Sequence, residues 1–237
     1  MKKFTYVLYS ALFLMSFQIT AQELSEGLIK MEISEVSSDN EQVAAQLEMM
    51  KGTETVYTFS KEKSLVTANM MGGMIKIKSL VNNADEHLTF LFDAMGQKMM
   101  VESTKEERAA MEADQKELVE SLDISYDEDD TKEILGYKCI KATISGDEEF
   151  PMDFSMYVSR DIKASNELIQ GLQGIDLDGF PLEYIMEMEQ MSMTYTATEL
   201  KTEIDASVFE INTSGYQKMT FQEFQEQMGA FGGGMGF

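Results

Sequence analysis

The sequence MDFSMYVS, residues Met152–Ser159, alternates apolar and polar side chains along its whole length. In an extended chain successive side chains point to opposite faces, so the apolar ones share one face. They are Met152, Phe154, Met156 and Val158. This pattern is typical of a β-strand with one face in a hydrophobic core and the other in water.

Further segments of the chain show the same alternation or short runs of β-branched and aromatic residues. They are Leu28–Val36, Val56–Phe59, Ser64–Asn69, Met74–Val81, Leu88–Phe92 and Lys98–Glu102. Short polar or glycine-containing turns separate them. Since parallel strands need crossovers of a dozen or more residues, these short connections predict an antiparallel sheet.

The apolar residues change parity between Met188 and Met191. A β-bulge or a tight hairpin near Glu189 and Gln190 would cause such a change. A hairpin fits better, because the polar residues after it then form one continuous face of a second strand. Those residues are Ser192, Thr194, Thr196 and Thr198.

A few short helices are predicted from their capping residues. The pairs with capping-box spacing are Asp39 with Gln42, Thr104 with Glu107, and Thr220 with Glu223. In this motif each side chain accepts a hydrogen bond from the backbone of its partner, so a helix begins there. After the last pair, Phe221, Phe224 and Met228 form one apolar stripe.

The first residues have the pattern of a signal peptide, residues 1–21. Lys2 and Lys3 supply the positive charge, Tyr6–Phe17 supplies the apolar stretch, and Ala21 is a small residue suited to cleavage. The apolar stretch is shorter than the roughly 20 residues that span a bilayer. We therefore expect an exported protein, periplasmic or secreted, cleaved near Ala21 and without a transmembrane segment afterwards.

The rest of the chain is predicted to form one domain with a short tail. Residues 22–228 contain no linker-like composition, and they are numerous enough to bury a single core. Residues 229–237 are rich in glycine, so we expect a disordered tail. The expected oligomeric state is a monomer.

The charge excludes one class of partner. Asp and Glu number 42 against 19 Lys and Arg, and the net charge is −23. Such a surface repels phosphate backbones, so nucleic-acid binding is excluded. The acidic clusters Asp127–Asp130 and Asp176–Gly179 lack the full oxygen pattern of a calcium loop and are interpreted as solvated turns.

The residue types that usually carry catalysis are scarce. His87 is the single histidine and Cys139 the single cysteine, so a nucleophilic triad or a common zinc ligand set has too few members. Cys139 is predicted to be a small buried apolar residue. No phosphate-cradling glycine motif is present. We therefore expect a non-enzymatic protein with no catalytic residues, no cofactor and no bound metal.

Methionine is unusually frequent, at 21 residues. Three explanations remain open. The methionines could fill the core, line an adaptable apolar pocket, or present soft thioether ligands to Cu(I).

Short motifs in the chain resemble the exported Bacteroidota proteins catalogued as domain of unknown function 4412. They are Gly136–Cys139, Gly179–Glu183, Phe209–Ile211 and Gly215–Met219. The resemblance implies an architecture similar to that of periplasmic lipoprotein carriers, the LolA-like fold. In such a fold a strongly curved antiparallel sheet forms a half-barrel, with short helices over its open side.

These observations predict a mainly β protein of the α+β type that binds a lipid, an acyl chain or a lipidated partner in an apolar half-barrel cavity. The residues predicted to line the cavity are Phe90, Phe92, Met152, Phe154, Met156, Met191, Met193 and Tyr195. The alternative is a periplasmic protein that handles Cu(I) through methionines, or one associated with envelope stress.

Overall fold

The computed structural model describes residues 23–107, 122–146, 153–165, 169, 172, 174–188 and 191–232. Within these residues, twelve strands form one open sheet, and helices are few and short. The predicted fold class, a mainly β half-barrel with a few short helices, is confirmed.

The strands follow the predicted segments closely. Their bounds are β1 Gly27–Ser38, β2 Glu54–Phe59, β3 Lys63–Met70, β4 Ile75–Asn82, β5 His87–Ala94, β6 Gln97–Ser103, β7 Asp123–Ile134, β8 Tyr137–Ser145, β9 Asp153–Ser159, β10 Phe180–Met188, β11 Met191–Lys201 and β12 Gln217–Met219. Met188 pairs with Met191, which confirms the predicted hairpin.

The sheet order is β12-β6-β5-β4-β3-β2-β1-β11-β10-β9-β8-β7. Neighbouring strands are antiparallel, except that β12 runs parallel to β6. Most neighbours in the sheet are also neighbours in sequence. The C-terminal segment departs from this order, because it runs from the middle of the sheet at β11 to the edge beside β6.

Contacts across the sheet show its curvature. Strands β2 and β10 are three positions apart, which would separate them by about 14 Å in a flat sheet. Yet the rings of Tyr57 on β2 and Phe180 on β10 lie edge to face, with centroids 6.0 Å apart. The sheet must therefore curl around the face that carries Tyr57 and Phe180, which is its concave face.

The main hydrophobic core fills one half of this concave face. Strands β1, β2 and β8 to β11 contribute to it. Part of the segment between β9 and β10 also packs into it, through the buried residues Ile162, Ile169, Leu172, Ile175 and Leu177. Cys139 is fully buried here, as predicted.

The C-terminal segment covers both faces of the other half of the sheet. Leu65 and Leu91 are buried on the convex face, where the turn Ala206–Phe209 lies against β3 and buries Phe209. The chain then forms β12 and enters the last helix, which returns over the concave face.

Two helices have described bounds of more than a few residues: α1, Glu41–Glu48, and α2, Phe221–Gly232. The capping boxes are confirmed, since Thr104 and Glu107 bond each other's backbone N–H, as do Thr220 and Glu223. The predicted cap of α1 is one residue out.

The N-cap of α1 is Asn40 and not Asp39. The Asn40 side-chain oxygen accepts hydrogen bonds from the backbone N–H groups of Gln42 and Val43, at 2.9 and 3.4 Å. Asn and Asp are nearly equal as N-caps, so the choice between neighbouring candidates depends on where β1 releases the chain.

The interpretation of Asp127–Asp130 as a solvated turn is wrong. These residues lie inside β7, at an irregularity between Asp127 and Thr131 where the pairing with β8 shifts. The Asp127 carboxylate accepts hydrogen bonds from the backbone N–H groups of Asp129 and Asp130, at 3.0 and 3.2 Å. β7 is an edge strand, so its carboxylates can stay in water without leaving the sheet.

Some predictions fall outside the described residues. They include the signal peptide at residues 1–21, Met152, and residues 233–237 of the predicted tail. Helix α2 runs to Gly232, which is inside the segment predicted as a tail. Among the described helices, none combines the length and apolar character needed to cross a membrane.

Candidate apolar binding site

The structure divides the predicted cavity residues between two places. Phe154 and Met156 are buried in the main core, and Tyr195 packs against it. Met193 is also buried, on β11, and Met191 is half-buried at the start of that strand. Phe90 and Phe92 belong to a second, smaller apolar cluster under α2.

The main core is closely packed around Phe154 and Met156. Phe154 is 3% exposed and lies between Ile144 and Met186 of the neighbouring strands. Met156 is 1% exposed and lies between Ala142 and Tyr184. These two side chains therefore act as core residues.

A group of tyrosines lies at the centre of the concave face. The Tyr184 and Tyr195 rings are stacked with centroids 4.6 Å apart, and the Tyr57 and Tyr184 hydroxyls are hydrogen-bonded. Burial raises the pKa of Tyr57 to about 12 and that of Tyr184 well above its usual range. Because an ionised phenol would be poorly solvated here, the folded protein keeps both phenols neutral.

We expect the protein to lose stability at alkaline pH. The pKa of Tyr57 is raised on folding, so its contribution is complete below pH 10, the usual phenol pKa, and is lost as pH rises towards about 12. Burial likewise raises the pKa of the Cys139 thiol to about 12. Urea midpoints should fall between about pH 9 and about pH 11.5. In Tyr57→Phe this fall should be shallower, and an unchanged slope would contradict the assignment.

The second apolar cluster lies between β4 to β6 and α2. Strand register places Phe90 on the same face as Tyr57, through Val66 and Ser79. The Phe224 ring of α2 meets the rings of Phe90 and Phe92 edge to face, at 5.4 and 5.8 Å. The concave face is therefore covered by α2 at this end of the sheet.

This cluster is less completely buried than the main core. Its buried members are Ile75, Phe92, Ala94, Met99, Val101 and Met219. Other apolar residues that pack against them are only partly buried, and Ile77, Phe90 and Phe224 are among them. We call this partly covered surface, formed by Ile77, Phe90, Phe92, Met99 and Phe224, the α2 groove.

Helix α2 is attached to the sheet through the three residues of β12. Lys218 forms an ion pair with Glu102 of β6, and this contact lowers the pKa of the Glu102 carboxyl. The Lys98 ammonium lies 5.5 Å from the centre of the Tyr216 ring. Both ion-pair side chains are partly exposed, so the attachment depends mainly on burial of Met219 and Phe224.

A cleft of about 540 Å³ opens beside the α2 groove, at the start of α2. Among the described residues, its lining includes the carboxylates of Glu102, Glu107 and Glu223, one cation, Lys218, and the apolar side chains of Met219 and Phe221. An anionic group would be repelled by the carboxylates, so this end of the groove suits a neutral or cationic group.

Sequence reasoning missed part of what covers the concave face. Ile169 and Leu172 gave no periodic signal, because they lie in an irregular segment. The stripe on α2 was a usable signal: Phe224 and Met228 pack on the sheet as it indicates, whereas Phe221 is 40% exposed. His, Cys, Asp and Glu form no group of three suited to a metal among the described residues.

Comparison with known proteins gives no assigned family. No family model matches the chain, so the resemblance to domain of unknown function 4412 is not confirmed. No curated protein matches it either.

Several solved structures show a distant likeness. They include MucB, with a TM-score of 0.34 and 10% identity over 80% of this chain and 58% of MucB. An uncharacterized conserved protein from Thermus thermophilus has 0.34 and 9%, over 84% and 92%. LprF from Mycobacterium bovis has 0.32 and 10%, over 78% and 92%. This chain spans little more than half of the MucB length, and TM-scores this low do not establish a shared fold, ligand or partner.

Proposed function

We propose that this chain is an exported, non-enzymatic binding protein that holds an apolar ligand in the α2 groove. The ligand class is an acyl chain, carried by a lipid or by a lipidated partner. The observation that carries the proposal is the incomplete burial of Phe90, Ile77 and Phe224 beneath a single peripheral helix.

The α2 groove can supply the energy that such a ligand needs. Burying a methylene group stabilises a complex by about 0.8 kcal/mol, so an acyl chain of several carbons can compete with the contacts between α2 and the sheet. The groove is lined by Phe and Met side chains, and methionine adapts to ligands of irregular shape. Of the residues predicted to line the cavity, the proposal keeps Phe90 and Phe92 as ligand contacts.

The acidic cleft at the end of the groove narrows the ligand further. Glu102, Glu107 and Glu223 would repel a free fatty-acid carboxylate or a phosphate. An acyl chain attached through a neutral ester or amide, or one with a cationic head, meets no such repulsion. The proposal therefore favours neutral or cationic lipids over anionic ones.

The test is binding of N-phenyl-1-naphthylamine, a neutral apolar fluorescent probe, with displacement by neutral acyl esters. Phe224→Ala should weaken binding about tenfold, which corresponds to about 1.4 kcal/mol. Phe221→Ala is the matched control on the same helix, because Phe221 is exposed, and should bind nearly as the natural protein does.

Two outcomes would overturn the proposed function. One is a purified protein that binds no probe and yields no lipid on extraction and mass spectrometry. The other is equal affinity in Phe224→Ala and the natural protein, with both proteins folded by circular dichroism. Tighter displacement by a fatty-acid anion than by its methyl ester would contradict the head-group preference.

A further inference from the structure

Exposed methionines gather at one rim of the sheet, away from the α2 helix start. Met49, Met74 and Met95 are 67%, 47% and 74% exposed. They lie beside the turns that join α1 to β2, β3 to β4, and β5 to β6. With Met71 of the β3 to β4 turn they form what we call the methionine rim: Met49, Met71, Met74 and Met95.

Backbone contacts hold the members of the methionine rim together. The Met95 N–H donates to the Met74 carbonyl at 3.0 Å, and the Met74 N–H donates to the Met71 carbonyl at 3.4 Å. Met49 and Met71 line one cleft of about 330 Å³. Four thioether side chains therefore extend from backbone positions that are neighbours in space, although they are far apart in sequence.

Two of these methionines occupy positions that methionine rarely takes. Met71 and Met95 have φ angles of +52° and +53°, in the left-handed region. Turns of this kind prefer Asn, Asp or Gly there, and other residues are strained. Burial of the Met95 side chain does not offset this cost, because that side chain is largely exposed. Strain that packing does not explain points to a function for the side chain.

We propose that the methionine rim binds Cu(I) through its thioether sulfurs. Soft sulfur ligands select Cu(I) over hard cations, and flexible methionine side chains can converge on one ion without moving the backbone. The other soft ligand, the Cys139 thiol, is fully buried and cannot compete. A thioether carries no proton, so binding should persist in acid, where histidine sites release metal.

The experiment is an anaerobic Cu(I) titration against a chromogenic Cu(I) chelator, with the full mature chain. The natural protein should bind one Cu(I) more tightly than micromolar. The triple variant Met71→Leu, Met74→Leu, Met95→Leu should bind about a hundredfold more weakly. Leucine keeps the apolar surface, so this loss would belong to the sulfur atoms and not to hydrophobic contact.

The matched control is the triple variant Met100→Leu, Met156→Leu, Met193→Leu, which removes as many sulfurs from strands of the sheet. Its Cu(I) affinity should equal that of the natural protein. Equal affinity in the rim variant, absence of sub-micromolar binding in the natural protein, or loss of binding at about pH 5 would each overturn the assignment. Probe binding in the α2 groove should be unchanged by the rim variant, which separates this site from the proposed function.

Discussion

Replacing Phe180 with alanine is expected to lower the free energy of unfolding by about 3 to 5 kcal/mol. Phe180 is fully buried, and its ring meets that of Tyr57 across the concave face. The substitution would remove a contact that joins β10 to β2 and would leave a cavity that the curved sheet cannot easily close. Urea unfolding followed by circular dichroism measures the effect.

The control for Phe180→Ala is the same substitution at Phe221. That side chain is exposed on α2, so its loss should change the free energy of unfolding by less than about 1 kcal/mol. If the two variants were equally stable, Phe180 would not be the central contact of the concave face, and the curvature would need another cause.

The second large effect is expected for Gly179→Ala, at about 3 kcal/mol of destabilisation. Gly179 has a φ of +126°, which side chains rarely tolerate. An added Cβ would lie 2.5 Å from the Ser159 carbonyl oxygen and 2.8 Å from its carbon. These are backbone atoms of the strand that pairs with β10, so relief requires moving β9 away from Phe180.

Gly136→Ala separates conformational strain from collision. Gly136 also has a positive φ, +84°, but no described atom lies within 4 Å of an added Cβ. Its substitution should therefore cost only the backbone term, about 1 kcal/mol. Similar urea midpoints for the two alanine variants would show that β9 yields to the added methyl group without cost.

Alternation along the chain was enough to predict most of the sheet. In β9 and β11 every second residue faces the core, so both the strand and its buried face could be read from the sequence. The hairpin between β10 and β11 was predictable for the same reason, because a change of parity has few structural causes.

Edge strands and irregular segments were harder to predict. β7 has one neighbouring strand, so its carboxylates remain in water, and no continuous apolar face marked it as a strand. Ile169 and Leu172 reach the core from an irregular segment, where side-chain period carries no information. Their burial depends on the whole curved sheet and not on local sequence.

The candidate site shows the same limit. Sequence pattern placed Phe90, Phe92, Phe154 and Met156 on buried faces of strands, but it could not say what covers each part of the sheet. The irregular segment before β10 packs around the main core, whereas α2 alone is seen over Phe90 and Phe92 among the described residues. Which of them can meet a ligand depends on these coverings.

The position of β12 has a consequence for how the protein matures. β12 pairs with β6, although more than a hundred residues separate them in sequence. During synthesis or translocation the hydrogen-bonding groups of β6 and the rings of Phe90 and Phe92 must therefore wait for the C-terminus to arrive. Open strand edges and bare aromatic surface attract other chains, so a chaperone that shields this corner late in export would protect the nascent protein most.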